Sequence, residues 1–176
     1  HLAGESAVLY GTQRKHIEGI VLRLSNAFGA PAQAETNCWM LLVNDLCRQA
    51  VTLRSMTLRS RGLQRRDFIT LQDVSHAVAN MIDLPSNQIG DGLFNLGSSQ
   101  SLRVIEMVEL VQARCADVLG YTPEIIYSQS AKIEKNSDLT YGIDKLLSTG
   151  FCLRCNLSLE VDNILRFCMK SFTMSE

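Results

Sequence analysis

Neither sign of charge dominates this chain of 176 residues, whose formal net charge is −1. With no sequence-wide field to attract nucleic acid or an anionic membrane, any anion must be met by a local cluster. No apolar run approaches the roughly 20 residues that span a bilayer. The amino end also lacks the charged region and apolar core of a secretion signal. The expected protein is soluble and cytoplasmic, with no nucleic acid and no membrane among its partners. Internal repeats and low-complexity stretches are absent as well. A hydrophobic share of 46% beside 20% charged residues is that of a globular chain. Its length suits one domain, or one domain and part of another.

Cysteine patterns argue against a metal or a disulfide framework. The six cysteines (Cys38, Cys47, Cys115, Cys152, Cys155 and Cys168) are scattered, and a chain of this length needs no staples. Cys47 and Cys115 fall inside helical apolar patterns, where a free cysteine is a small core residue. Cys152 and Cys155 form a C-x-x-C, yet no second pair or histidine pair lies at zinc-ligand spacing. The expectation is two packing thiols in a reducing compartment, and no metal.

What is present alternates between strand and helix patterns. His1 to Tyr10 reads as helix with no start signal before it, like the middle of something larger. Ile17 to Leu24 has the run of a buried strand, and a loop punctuated by Asn26, Gly29, Pro31 and Asn37 follows. Helices are expected over Trp39–Val51, Asp73–Met81, Leu102–Leu119 (with Ser101 as N-cap and Gly120 closing it), Ile143–Ser148 and Ser158–Phe172. Short strands are expected at Met56–Leu58, Asp67–Leu71, Gly92–Leu96 and Glu124–Tyr127, with a polar loop to Asp138. The class is α/β.

Three constellations carry possible chemistry. In Arg23-Leu-Ser-Asn26-Ala-Phe-Gly29 a strand ends and presents a polar residue. In parallel sheets that is where ligands sit. Asn26 could donate to a phosphate oxygen and accept from a sugar hydroxyl, or simply cap its own turn. In Gly62-Leu-Gln-Arg65-Arg66-Asp67-Phe68 an arginine fork could match a diphosphate. The bland alternative pairs Arg66 with Asp67 or Asp73 in a solvated loop. Gly92-Leu-Phe-Asn95-Leu-Gly97 reads mainly as strand and turn.

In this order the segments resemble the extended short-chain dehydrogenase/reductases, the NAD(P)-dependent epimerases and dehydratases of nucleotide sugars. That family carries R-x-x-N-x-[YF]-G, then G-x-x-x-R-D-[FY]-[IV], D-V-x-x-A and [YF]-N-[LI]-G. This chain reads RLSNAFG at 23–29, GLQRRDFI at 62–69, DVSHA at 73–77 and FNLG at 94–97. Asp144-Lys-Leu-Leu-Ser-Thr-Gly150-Phe151 is similar to a late D-x-x-K-x-x-x-L-G-[FW]. The family's opening G-x-x-G-x-x-G, which holds the cofactor pyrophosphate, does not occur in the chain.

The resemblance implies the carboxyl-terminal half of such an enzyme. Residues 1–30 would be the tail of a doubly wound Rossmann-type domain, its catalytic helix and following strand. Residues 31–176 would be mainly a small α/β substrate-binding domain, with 68–97 as a segment that could return to the Rossmann-type sheet. Asn26 and Arg66 would hold the substrate diphosphate, and Leu24 and Ser25 would line the nicotinamide edge of NAD or NADP. Residues of the 30–40 loop and the helix that begins at Trp39 would shape the nucleotide pocket. His1 aligns with the family's catalytic lysine: a boundary artefact, a natural change or a working substitute. The tyrosine base would lie upstream. His16 and His76 have no role in the family pattern. Implied partners are a nucleotide sugar and a second copy of the chain or an amino-terminal half. The fragment is expected to be inactive alone. The alternative is a non-catalytic relative that binds a nucleotide sugar or a protein.

Overall fold

The computed structural model describes residues 1–132, 138–154 and 156–173. Helix α1 (Leu2–Gln13) returns into strand β1 (Val21–Leu24) through a turn clamped at Thr12. The Gly19 N–H donates to Thr12 Oγ1 at 3.1 Å, and that hydroxyl donates to the Val8 carbonyl at 3.0 Å. The apolar run from Ile17 therefore becomes strand only at Val21. It is also not the buried strand its composition predicts, because Arg23 and Leu24 are exposed.

Strand β2 (Asn26–Phe28) follows after one residue, then α2 (Leu42–Leu53), β3 (Ser55–Ser60), β4 (Arg65–Thr70), α3 (Leu71–Ile82) and α4 (Ser86–Ile89). The order continues with β5 (Leu93–Leu96), β6 (Ser101–Arg103), α5 (Val104–Leu119), β7 (Glu124–Lys132), α6 (Asp144–Leu147) and α7 (Leu157–Phe172). β1 pairs parallel with β5, Val21 opposite Leu93. β2 pairs parallel with β4, Asn26 opposite Phe68, and β3 with β7, Ser55 opposite Glu124. β6 runs antiparallel to β4. Parallel neighbours need long crossovers, which the helices supply; the fold is α/β.

β4 divides two cores, because successive side chains leave a strand on opposite faces. Phe68 joins the core between α2, α5, α7 and β3, with Leu46, Met56, Val111 and Ile164. Ile69 joins the other, with Ala77, Phe94, Leu96 and Leu146. The first core is tied by Arg114 of α5, which grips Asp162 of α7 through Nε at 2.7 Å and Nη2 at 2.8 Å. Cys47, Cys115 and Cys168 are fully buried there. Burial pushes the Cys115 and Cys168 thiols up to about 12, so they pack and do not react. Cys152, in contrast, is exposed, which corrects the expectation that it packs; Cys155 lies outside the described residues. No group of three or more His, Cys, Asp or Glu among the described residues could hold a metal.

Three local expectations change. Asn26 lies in a strand, because β4 offers its ladder to the segment after Ser25. Trp39 precedes α2 instead of opening it. Ser101 does not cap α5 but sits in β6, drawn into pairing with Asp67. The cap is Arg103, whose N–H donates to Glu106 Oε2 at 2.6 Å.

Several motif residues prove architectural. Thr70 Oγ1 caps α3 by accepting from Asp73 N–H at 3.1 Å, while Asp73 Oδ1 accepts from Arg154 N–H at 2.9 Å. Asp67 is buried and accepts from Ser98 N–H at 2.8 Å and Ser98 Oγ at 3.0 Å. A Cβ on Gly97 would stand 2.6 Å from Asp67 Oδ1 and from the Tyr141 ring, and so no other residue fits.

Candidate functional site

The site gathers where β1 hands over to β2. Ser25 N–H donates to the Leu96 carbonyl at 2.9 Å, carrying the β1–β5 register one residue past the strand. Ser25 Oγ is buried with no hydrogen-bond partner among the described residues. Asn26 is exposed, and its Nδ2 donates to the Asp67 carbonyl of β4 at 2.9 Å. It thus straps two strands together instead of capping its own turn.

Arg65 and Arg66 leave β4 on opposite faces. Arg65 Nη1 donates to the Ser101 carbonyl at 2.8 Å, an internal tie to β6. Arg66 makes no ion pair among the described residues. Asp67 is engaged by Ser98 and Asp73 by Thr70 and Arg154, so the pairing considered from sequence does not form. Arg66 lines a cleft of about 460 Å³ together with Leu24, Ser25, Asn26, Met40, Leu41 and Leu71.

Two further clefts adjoin it. One of about 390 Å³ shares Arg66 and Met40 and adds Trp39, Arg48, Arg59 and Gln64. The other, about 800 Å³, shares Leu24 and Ser25 and adds His1, Glu5 and Arg23. The six residues singled out from sequence therefore lie along one connected trough: His1 at one end, Leu24, Ser25, Asn26 and Arg66 in the middle, Trp39 at the other.

The trough walls are held from behind. Trp39 Nε1 donates to the Ala34 carbonyl at 2.8 Å. Its ring packs on Phe167 and Phe172 of α7, centroids 6.1 and 5.0 Å away, with the Arg48 guanidinium 5.6 Å over it. The loop's other end is clamped by buried Asn44, which donates to the Gly29 carbonyl at 2.8 Å and accepts from its N–H at 3.3 Å. Burial raises the Glu160 carboxyl above its ordinary value, opposed by hydrogen bonds from Ala30 N–H and Asn163. On the β1 side, Arg23 holds Glu5 of α1 through Nε at 3.0 Å and Nη2 at 2.5 Å. That hydrogen bonding keeps the Glu5 carboxyl below its usual range. Tyr141 Oη donates to the Arg23 carbonyl at 2.7 Å.

Met40 and Leu41 fall in the loop and helix expected to shape the nucleotide pocket, whereas sequence reasoning missed Leu71, Arg59 and Tyr141. Arg59 carried a usable signal, since β3 alternates buried Met56 and Leu58 with exposed Thr57 and Arg59. Leu71 carried none.

Residues 1–97 match the family model described as Epimerase, the NAD dependent epimerase/dehydratase family. The chain belongs to this family. A curated relative, a dTDP-L-rhamnose 4-epimerase of Burkholderia thailandensis, is 29% identical over 93 residues, 53% of this chain and 25% of the relative. Among solved structures, RMD of Pseudomonas aeruginosa complexed with NADPH matches at TM-score 0.77 and 19% identity, over 96% of this chain and 54% of that one. A UDP-glucuronic acid 4-epimerase of Bacillus cereus, in complex with UDP-glucuronic acid and NAD, matches at TM-score 0.74 and 17% identity, over 96% and 51%. This epimerase/dehydratase-family chain thus spans about half the length of the solved relatives and a quarter of the curated one. The structural matches establish the fold: a Rossmann-type α/β architecture.

Proposed function

We propose that this chain is the substrate-binding part of an NAD(P)-dependent enzyme that epimerises, dehydrates or reduces a nucleotide sugar. The observation that carries this reading is the cleft shared by Leu24, Ser25, Asn26 and Arg66, where a cation with no ion pair among the described residues stands beside a strand end. Arg66 supplies the charge for the diphosphate, and its planar fork suits two phosphate oxygens at once. Asn26, already tied by one N–H, offers its carbonyl oxygen. Trp39 acts by fixing the loop that walls the nucleotide end.

The nicotinamide end of NAD or NADP fits the opposite side. Leu24 is exposed for a ring to pack on, and the Ser25 hydroxyl has no partner among the described residues. The cofactor, when bound, supplies hydride acceptance. This chain contributes none of the glycine-rich cradle for its pyrophosphate. Residues 1–30 form the tail of the Rossmann-type domain, 31–176 mainly the substrate domain, with 68–97 returning through β5 to pair with β1. The intact protein acts in the cytoplasm as a homodimer, or this chain pairs with an amino-terminal half.

A second reading, a non-catalytic nucleotide-sugar or protein-binding relative, is favoured by one observation: histidine where the family has lysine. His1 is exposed at the head of α1 and lines the β1-side cleft. A largely neutral imidazole lowers a neighbouring tyrosine's pKa less than an ammonium does. The test compares nucleotide binding by two variants. Arg66→Lys keeps the charge but loses the fork, and should weaken nucleoside-diphosphate binding by about 1–2 kcal/mol. Arg65→Ala, on the other face, should leave it nearly unchanged. Equal small effects, with the fold intact, would remove Arg66 from the site.

A further inference from the structure

The wall at the nucleotide end hangs on a long connection. Between Gly29, just past β2, and Cys38, just before Trp39, the chain joins no strand or helix, and most of residues 32–37 are exposed. Both ends of this loop meet one buried side chain. Asn44 of α2, 0% exposed, lies in a stripe that is otherwise apolar, with Val43, Leu46, Cys47 and Ala50. Its Nδ2 donates to the Gly29 carbonyl at 2.8 Å and to Cys38 Sγ at 3.5 Å, and its Oδ1 accepts from the Gly29 N–H at 3.3 Å. An amide serves a backbone N–H and C=O at once and keeps a second N–H to give; a carboxylate only accepts, and an aliphatic chain does neither. Glu160 of α7 accepts from the next N–H, that of Ala30. A Cβ on Gly29 would collide with Glu160 Oε1 and with Leu71. Two helices thus send buried polar groups to the root of this one loop. A polar side chain in a core position costs stability unless its bonds are made, and packing alone does not call for one at position 44.

Resting on the reading above, we infer that Asn44 is a positioning residue for the nucleotide: by tying both ends of the 29–38 loop it sets the wall at Trp39 and Met40 before a ligand arrives. Trp39 and Met40 line the cleft that adjoins Arg66, and the Trp39 Nε1 bond to Ala34 carries the setting into the middle of the loop. Binding to a wall already in place does not have to order the loop, and its affinity is higher for that reason.

The test titrates a nucleoside diphosphate into the 176-residue chain and its variants. Calorimetry reads the affinity, and fluorescence reads the wall through Trp39, the chain's one tryptophan. Asn44→Asp is nearly isosteric but, when ionised, turns a lone pair on the Gly29 carbonyl. At about pH 8 it should bind about tenfold more weakly than the native chain, with Trp39 emission shifted to longer wavelength. At about pH 5.5 the buried carboxyl takes up a proton, regains a donor and should recover most of the affinity. Taking each value as a ratio to the native chain at the same pH cancels the titration of the ligand and of Glu160. Cys47→Ala, fully buried on the same helix, should lose stability and keep its affinity. If Asn44→Asp matches the native chain at both pH values, or Cys47→Ala weakens binding as much, the positioning role is wrong and the diphosphate site stands. Should Asn44→Asp fail to fold, Cys38→Ala decides, since it unties the loop's half-buried far end alone. Weaker binding with the same emission shift supports the role, and native affinity overturns it. If the native chain itself does not bind, both readings fall.

Discussion

At the scale of single residues, the charges here have distinct roles according to what surrounds them. Asp67 and Asp73 belong to recurring family motifs, yet both are buried and spent on backbone and hydroxyl donors. Arg66, the residue before Asp67, is the group left lining a cleft. Arg114 shows how context sets a residue's worth. It grips buried Asp162 and also reaches the exposed Asp117 at 2.7 Å. Arg114→Ala leaves Asp162 with Arg166 at 3.8 Å as its one cation among the described residues, and should cost about 3 kcal/mol in urea unfolding. Asp162→Ala leaves Arg114 its surface partner and should cost clearly less. Equal losses would mean the buried carboxylate is compensated elsewhere. Gly97→Ala should likewise destabilise the fold, since its Cβ meets Asp67 and Tyr141. A melting temperature unmoved by that substitution would contradict the packing described around Asp67.

At the scale of elements, α7 does more than fill a core. It carries Phe167 and Phe172 against Trp39 and Glu160 against the Gly29–Ala30 loop, and so it braces one wall of the trough. Glu160 makes this bracing depend on pH. Burial raises its folded pKa above the ordinary 4.5, so between those two values the folded chain holds more protons than the unfolded one. Its contribution is therefore full below about 4.5 and is lost as pH rises through the folded value. Glu160→Gln, which keeps an acceptor for the Ala30 N–H, should gain on the native chain as pH climbs from 4.5 to 7. Urea midpoints at both values check this, and an unchanged difference between the proteins would contradict it. Long helices were legible in the sequence because periodicity is local: the spacing over Val74, Ala77, Val78 and Met81 places α3 correctly. Strands β2 and β6, three residues each, were not, since only the β4 ladder makes them strands. The same limit applies to the site. Asn26 and Arg66 stood out by type and motif, and Met40 and Leu41 by their place at the Trp39 helix, but Leu71 joins their wall only once α3 folds over β2.

At the scale of the whole molecule, one end is finished and the other open. The cores around α2, α5 and α7 are closed, whereas α1 buries none of its residues and leaves Leu2 and Tyr10 74% and 57% exposed. Strand β1 is paired only by β5 among the described residues, and a parallel sheet is ordinarily covered on both faces. The chain should therefore self-associate with rising concentration and bind an apolar dye, as light scattering and fluorescence would show. A monomer at all concentrations that binds no dye would count against this view. Turnover of nucleotide sugars with NAD(P) by the 176 residues alone is not expected, as they contain no glycine-rich cradle for a pyrophosphate. The central claim, that the trough from Ser25 to Arg66 receives a nucleoside diphosphate, is tested most directly by amide chemical-shift mapping during titration with that ligand. Saturable shifts are expected at Leu24–Phe28, Met40–Leu42 and Gln64–Phe68. Shifts confined to the separate cleft of about 470 Å³ around Lys15, Glu18 and Ser86, or none at all, would contradict it.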